Sequence, residues 1–272
     1  MSSAAAQSRQ RLRAIVRKEW LDLRRNRTVL GTLLFLPMLL TLVSTGMLLA
    51  AARSLASAAP PGPNAAAKVP EFLRHLTDDP RQAALLMLAH TALMMFSMVP
   101  VLLPSIMAAH SIVGEKLARS LEPLLATPLA TWELLVGKLI AILAPSLVPS
   151  LLGYAIYVGV AVAAAPPSVV ALVTSPPFVL TIVLVGPLAA VLAVTFGMMV
   201  SARSADLQSA QGLAGLIVLP VIGIGMAQMF GALSVSVTAA LVKALVLLVL
   251  DGGALLLCIS VFERETILSR WK

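Results

Sequence analysis

Charge is distributed very unevenly along this chain, and that distribution restricts the fold more than any other feature of the sequence. Four long segments contain no Asp, Glu, Lys or Arg: residues 28–52, 82–114, 139–202 and 207–242. A helix needs about 20 mainly apolar residues to cross a hydrocarbon core about 30 Å thick. Because each segment is long enough for at least one such helix, the sequence predicts an integral membrane protein.

The composition excludes the main alternatives to a helical membrane protein. Of the 272 residues, 59% are hydrophobic and 12% are charged, whereas soluble domains average about 45–50% apolar and about 25% charged residues. Intrinsic disorder is excluded because disordered chains are poor in apolar residues. The apolar segments are continuous rather than alternating, which excludes a membrane β-barrel. The single cysteine, Cys258, excludes a disulfide framework, and we expect no metal site.

The uncharged segments predict six membrane spans in an all-α fold. Residues 139–202 are too many for one helix, and Pro166-Pro167 and Pro176-Pro177 fit a turn between two spans. The predicted spans are residues 28–52, 83–112, 137–163, 177–201, 210–230 and 239–261. The remaining segments are an interfacial helix at 9–27, an outer loop at 53–82, a cytoplasmic segment at 113–136 and a tail at 262–272. Residues 1–272 would thus form a single transmembrane domain.

The basic residues predict the orientation of the spans. The net charge is +8, with 20 Lys and Arg against 12 Asp and Glu. Most of these bases lie before Thr28, after spans 2 and 4, and in the tail, which is one side of the predicted membrane. Because cytoplasmic segments are enriched in Lys and Arg, we expect both termini in the cytoplasm of a cell inner (plasma) membrane. The positive charge therefore indicates topology, and no nucleic-acid partner is expected.

Residues 9–27 have the pattern of an amphipathic helix. Arg and Lys separate apolar side chains that recur at helical spacing, namely Leu12, Ile15, Val16, Trp20 and Leu23. This pattern predicts a helix in the cytoplasmic interface, with Arg17 and Lys18 near lipid phosphates and Trp20 at headgroup level. A basic topology determinant that happens to be helical is a compatible, simpler interpretation.

The segment from Gly114 to Lys138 combines charges of both signs with more apolar residues than a solvated loop needs. Its charged residues are Glu115, Lys116, Arg119, Glu122, Glu133 and Lys138. Thr127-Pro128 divides the segment into two short helices. An exposed apolar face usually marks an interaction site, so the segment predicts a cytoplasmic helical hairpin that contacts a partner.

This hairpin resembles the signature of ABC-2 type permeases, the transmembrane subunits of ABC exporters. The resemblance rests on Glu115-Lys116, on the run from Ser120 to Pro128, and on the run from Glu133 to Lys138. Lys18-Glu19-Trp20, ahead of a first span rich in Leu and Pro, also resembles the amino terminus of that family. With six spans, the resemblance extends over the whole chain.

That resemblance implies a half-transporter. Two six-helix subunits, identical or homologous, would form the translocation path, and each would rest on a separate cytoplasmic ABC ATPase subunit. The hairpin would couple to the ATPase, with the amino-terminal helix as a second contact. The matching coupling residues are Glu115, Lys116, Leu121, Glu122, Leu124, Leu125, Pro128 and Glu133. ATP and Mg²⁺ are expected on the partner ATPase, and no cofactor is expected on this chain.

The motifs of nucleotide binding and catalysis are missing from the sequence. There is no G-x-x-x-x-G-K-[ST], and Gly137-Lys138 lacks the upstream glycine and the following hydroxyl. H-E-x-x-H and G-x-S-x-G are also absent. We therefore predict no catalytic residues and no enzyme activity in this chain.

Asp251 is a candidate intramembrane polar site. It lies near the middle of the sixth span, where a carboxylate costs about 2.5–3.5 kcal/mol. It should face the bundle or a hydrated cavity, either in translocation or in a hydrogen bond to a neighbouring span. The candidate partners are His90, Gln208, Gln211 and Gln228. Lys243 lies about 12 Å earlier along the helix, too far for a direct pair, and can extend towards the interface.

Two other functions stay open at this point. In an ion-coupled secondary transporter Asp251 would bind the ion, but residues 28–138 and 139–262 lack the convincing similarity that internal repeats would give. An ABC-type complex that does mechanical or assembly work has the same sequence features as an exporter. The scarcity of charge in the spans favours a lipid-like or amphipathic small substrate over a polyanion.

Overall fold

The computed structural model of the protein describes residues 2–57, 73, 77–117 and 130–262. Within these residues the chain is helical and contains no strand. The helices are α1 (Ser2–Arg25), α2 (Arg27–Ser57), α3 (Pro80–Leu117), α4 (Thr131–Ala164), α5 (Pro167–Val173), α6 (Pro176–Leu180), α7 (Gly186–Arg203), α8 (Leu207–Gly215), α9 (Val218–Met229) and α10 (Val237–Val261). A π-helical turn, Thr181–Val185, joins α6 to α7.

The described residues contain six stretches long and apolar enough to cross a membrane. They are Leu33–Ser54, Pro80–Glu115, Thr131–Ala164, Pro167–Arg203, Leu207–Met229 and Val237–Val261. These stretches confirm the predicted all-α class with six spans. The predicted interfacial segment 9–27 lies mostly in α1, whereas the predicted hairpin 113–136 is described only at its two ends.

The fourth and fifth spans are each built from more than one helix. In the fourth span α5 and α6 both begin with proline in the first turn, where the missing N–H is not needed. The π-helical turn then leads into α7. In the fifth span Leu216-Ile217 separate α8 from α9. A uniformly apolar segment has no periodicity that marks such breaks. The fourth and fifth spans predicted from the sequence, 177–201 and 210–230, therefore contain no break.

Helix α3 lies at the centre of the bundle and packs against α2, α4, α7, α8 and α9. Its closest neighbour is α7, where Gly197 allows the two backbones to approach. A Cβ at Gly197 would lie 2.9 Å from the carbonyl oxygen of Ser105 and 2.9 Å from Cβ of Ala108. Beside this contact Ser201 Oγ accepts the N–H of Val113 and donates to the carbonyl of Ala109. Small residues therefore hold α3 and α7 together, as is common between membrane helices.

Helix α1 crosses the first turns of α4 and contacts the start of α2. Its buried side chain Ile15 packs directly on Gly137, because a Cβ there would lie 2.8 Å from Ile15 Cγ2. Glycine at this position lets α1 lie close to α4. This contact places the polar side chains of α1 beside the ends of the predicted hairpin.

Candidate functional site at the ends of the predicted hairpin

A buried lysine forms the centre of the charged groups between α1, α3 and α4. The Lys138 side chain is 0% exposed. Its Nζ lies 2.8 Å from Glu19 Oε1, 2.8 Å from Ser111 Oγ and 3.0 Å from Glu115 Oε1. A buried ammonium group is tolerated only when it is paired, and three oxygen partners match its three N–H donors. Lys138 therefore fastens α4 to both α1 and α3.

Lys18 adds a second cation at the edge of the same cluster. Its Nζ lies 2.5 Å from Glu115 Oε1, 3.6 Å from Glu19 Oε1 and 4.0 Å from Asp22 Oδ2. Desolvation lowers the pKa of Lys18, but the hydrogen bond to Glu115 and the neighbouring carboxylates outweigh it, so the pKa lies above its ordinary value. We call Lys18, Glu19, Ser111, Glu115 and Lys138 the Lys138 cluster.

Glu133 joins α1 to the other end of the predicted hairpin. Its carboxylate is buried and accepts hydrogen bonds from Ser8 Oγ and from the backbone N–H of Ala130, the latter at 3.2 Å. Arg11 Nη1 lies 3.5 Å from Glu133 Oε2. A glutamate in the third position of α4 that accepts the N–H of the cap residue also stabilises the start of the helix. Glu115 and Glu133 are thus both bound to α1.

The opposite side of α1 forms a basic groove with α4. The groove has a volume of 620 Å³, and its lining residues include Arg13, Arg17, Trp20, Arg24 and Ile140. The three arginines are exposed, and no carboxylate among the described residues lies within ion-pairing distance of them. The indole N–H of Trp20 donates to the carbonyl of Ala141 at 3.1 Å. The sequence predicts both Arg17 and Lys18 near lipid phosphates. In the structure Arg17 lines the basic groove, whereas Lys18 contacts the carboxylates of Glu19 and Glu115.

Only some of the predicted coupling residues lie within the described part of the chain. Glu115 lies in the last turn of α3, followed by Lys116, of which only the backbone is described, and Glu133 lies in the first turn of α4. The predicted residues between them lie outside the described residues, namely Leu121, Glu122, Leu124, Leu125 and Pro128. The structure therefore shows the two helix ends that border the predicted hairpin and the contacts by which α1 binds them.

Several residues of this site were not among the predicted site residues: Ser8, Arg11, Glu19, Ser111 and Lys138. The sequence contains an indication of the role of Lys138. It is a lone cation at the start of an apolar run, and such a charge needs an acidic partner. Nothing in the sequence identified Glu19 as that partner. Among the described residues no group of three His, Cys, Asp or Glu side chains could hold a metal ion.

Asp251 lies on α10, far along the chain from this cluster. Its side chain is buried, and neither carboxylate oxygen has a hydrogen-bond partner within the described part of the chain. None of the four candidate partners from the sequence is bonded to it there; His90 Nδ1, for example, lies 2.8 Å from the carbonyl of Leu86. The role of Asp251 as an intramembrane polar site stays a prediction.

Comparison with known proteins agrees with the architecture. A family model described as "ABC-2 family transporter protein" matches residues 13–269, which include most of α1, the predicted hairpin and all six spans. A search of the curated proteins found no match. Because the family model covers far more than half of the chain, the protein belongs to the ABC-2 transporter family.

Proposed function

We propose that this chain is the permease subunit of an ATP-driven ABC-2 exporter. It pairs with a second permease subunit, identical or homologous, and the two form the translocation path. Two cytoplasmic ABC ATPase subunits bind ATP and Mg²⁺ and drive the pair. Membership of the ABC-2 family and the six apolar spans support this assignment. The absence of a phosphate-binding motif from the sequence means that the ATPase must be a partner.

The proposed coupling mechanism is based on the contacts of the Lys138 cluster. The hairpin joins the end of α3 to the start of α4, and both ends are tied to α1 through Glu115, Glu133 and Lys138. A force applied to the hairpin by the ATPase then moves α3 and α4 together with α1, because buried ion pairs resist separation. Since α3 is the central helix of the bundle, its displacement reaches the other spans.

Helix α1 acts in this proposal as an interfacial helix with two different sides. Lys18 and Glu19 belong to the Lys138 cluster, whereas Arg13, Arg17 and Arg24 line the basic groove. Exposed arginines beside a tryptophan favour the cytoplasmic membrane surface, where lipid phosphates supply the opposite charge. This arrangement supports cytoplasmic termini and an amphipathic helix anchored at the inner surface of the plasma membrane.

Co-purification tests the proposed function. The affinity-tagged full chain is co-expressed with the ABC ATPase encoded beside it and is solubilised in a mild detergent, with an unrelated tagged six-span protein as the control. We expect the ATPase to be retained by the chain and lost from the control. A folded, inserted chain that retains no more ATPase than the control contradicts the proposal.

A further inference from the structure

A cavity of 370 Å³ lies between α3, the π-helical turn, α7, α9 and α10 and is open on one side, where its lining residues Val242, Val246 and Leu250 are exposed. Its walls are mainly apolar, as is typical of small-molecule sites, which span about 300–1,000 Å³. Its polar side chains are Ser97, Thr181, Gln228 and Lys243. The cavity is separate from the Lys138 cluster and shares no residue with it.

Lys243 is the charged residue in the wall of this cavity. It lies in the second turn of α10 and is half-buried, beside Val242, Val246 and Leu247 of the same helix. No carboxylate among the described residues lies within ion-pairing distance of it. Asp251, on the same helix, is about 12 Å further along the axis and points about 80° away. A cation in apolar surroundings without a counter-ion is unfavourable.

Three other polar side chains, those of Ser97, Thr181 and Gln228, line the same cavity as Lys243. The Gln228 side chain is buried and makes no hydrogen bond within the described part of the chain, so its amide group is available to a ligand. Ser97 and Thr181 donate their hydroxyl protons to the carbonyls of Leu93 and Pro177, at 2.7 and 2.8 Å. The site thus offers one positive charge and one free amide against an apolar wall. That chemistry complements a ligand with an anionic head and an apolar tail.

We propose that this cavity binds a single-chain amphipathic anion, with its carboxylate or phosphate head on Lys243 and Gln228 and its acyl chain on the apolar wall. A volume near the lower end of the usual range fits one chain rather than two. The role of this ligand as the exported substrate rests on the proposed function, but its binding to the permease does not. The structure thereby assigns a substrate class that the family match leaves open.

Binding of oleate to the purified full chain tests the proposal. The chain is placed in nanodiscs of zwitterionic phosphatidylcholine, and binding of radiolabelled oleate is compared with binding of oleyl alcohol and oleylamine. We expect saturable binding of oleate and at least about tenfold weaker binding of the two analogues, since an ion pair to the head is lost. Absence of saturable oleate binding, or equal binding of the alcohol, overturns the proposal.

Variants assign the binding to the cavity. Lys243→Met should weaken oleate binding about tenfold, Lys243→Arg should preserve it, and Val246→Trp should reduce it by filling the cavity. Arg53→Met removes an exposed charge at the end of α2 and should leave binding unchanged. Each variant is first checked for a wild-type thermal transition. A folded Lys243→Met chain that binds oleate as the wild type does overturns the proposal, even if Val246→Trp fails to fold.

Competition distinguishes an exported amphiphile from a resident bilayer lipid. Phosphatidylglycerol carries the same kind of anionic head on two chains, so we expect it to displace oleate poorly. Displacement at equal concentration would overturn the assignment of the ligand as substrate. Co-purification of the ATPase does not depend on Lys243, so failure of this binding and failure of the proposed function are separate results.

Discussion

Lys138 Nζ of α4 lies 2.8 Å from Oε1 of Glu19 in α1, and the two residues are 119 positions apart in the sequence. The lysine is fully buried, and the same nitrogen also binds Ser111 and Glu115 of α3. One side chain therefore links the amino-terminal helix to both helices that border the predicted hairpin. The predictions below follow from this link and from the close helix contacts around it.

Replacing Lys138 should destabilise the protein strongly. Lys138→Met removes the buried cation and leaves the partly exposed Lys18 as the remaining cation beside Glu19 and Glu115. Removal of one partner from a buried ion pair costs about 3–5 kcal/mol, so we expect a clearly lowered Tm for the detergent-solubilised chain. The double variant Lys138→Met/Glu115→Gln should recover part of the loss, because Lys18 then has one fewer carboxylate to neutralise. A Tm for Lys138→Met within error of the wild type would show that the cluster contributes no stability.

Replacing Lys18 should cost much less. Its side chain is 43% exposed, and Glu115 keeps its contact with Lys138 when Lys18 is removed. Solvent screening limits such a pair to about 1 kcal/mol or less. Lys18→Met is therefore expected to lower the Tm by only a small fraction of the Lys138→Met effect. An equal loss in the two variants would contradict the assignment of Lys138 as the centre of the cluster.

The contribution of Lys18 should also depend on pH in a defined direction. The hydrogen bond to Glu115 and the surrounding carboxylates raise the pKa of Lys18 against the opposing effect of desolvation. The stabilisation is then complete below the ordinary lysine pKa and is lost as the pH rises through the raised value. The difference in Tm between the wild type and Lys18→Met should persist at neutral pH and shrink in strongly alkaline buffer. A difference that grows with alkaline pH would reverse the predicted sign.

Contact between Ile15 and Gly137 should control how α1 docks on α4. In Gly137→Ala the new Cβ would lie 2.8 Å from Ile15 Cγ2, so we expect a loss of about 1–3 kcal/mol. Ile15→Ala removes the atoms that clash, and in that background Gly137→Ala should cost little. A double-mutant cycle on thermal unfolding measures this coupling. Additive effects of the two substitutions would contradict direct packing between the two residues.

Packing of α7 on α3 should be equally sensitive at Gly197. A Cβ there meets the backbone oxygen of Ser105 at 2.9 Å, and backbone cannot move aside as a flexible side chain can. Gly197→Ala should lower the free energy of unfolding by about 1–3 kcal/mol. Gly159→Ala is the matched control, because no atom lies within 4 Å of its Cβ position and alanine favours a helix. Equal Tm values for the two variants would contradict a close contact between α7 and α3 at Gly197.

The sequence predicted the spans well because charge and length decide which segments can cross a bilayer. It missed the π-helical turn at Thr181–Val185 and the break at Leu216-Ile217, since uniformly apolar residues carry no periodic signal. It identified Glu115 and Glu133 but not their partners Lys138, Ser8 and Arg11, which come near them only when α1, α3 and α4 pack together. The sequence predicts that Lys243 extends towards the interface, whereas its place in the cavity wall depends on how α10 packs against α7 and the π-helical turn.

The most direct measurement of the central claim is ATP hydrolysis by the reconstituted complex of permease and ATPase. Leu125 belongs to the predicted hairpin and to the predicted coupling residues, whereas Leu233 is an exposed leucine in the loop before α10. Leu125→Asp should abolish the stimulation of hydrolysis by the permease, with insertion and Tm unchanged, and Leu233→Asp should leave stimulation intact. If the Leu125→Asp complex hydrolyses ATP at the wild-type rate, the hairpin does not couple this chain to an ATPase.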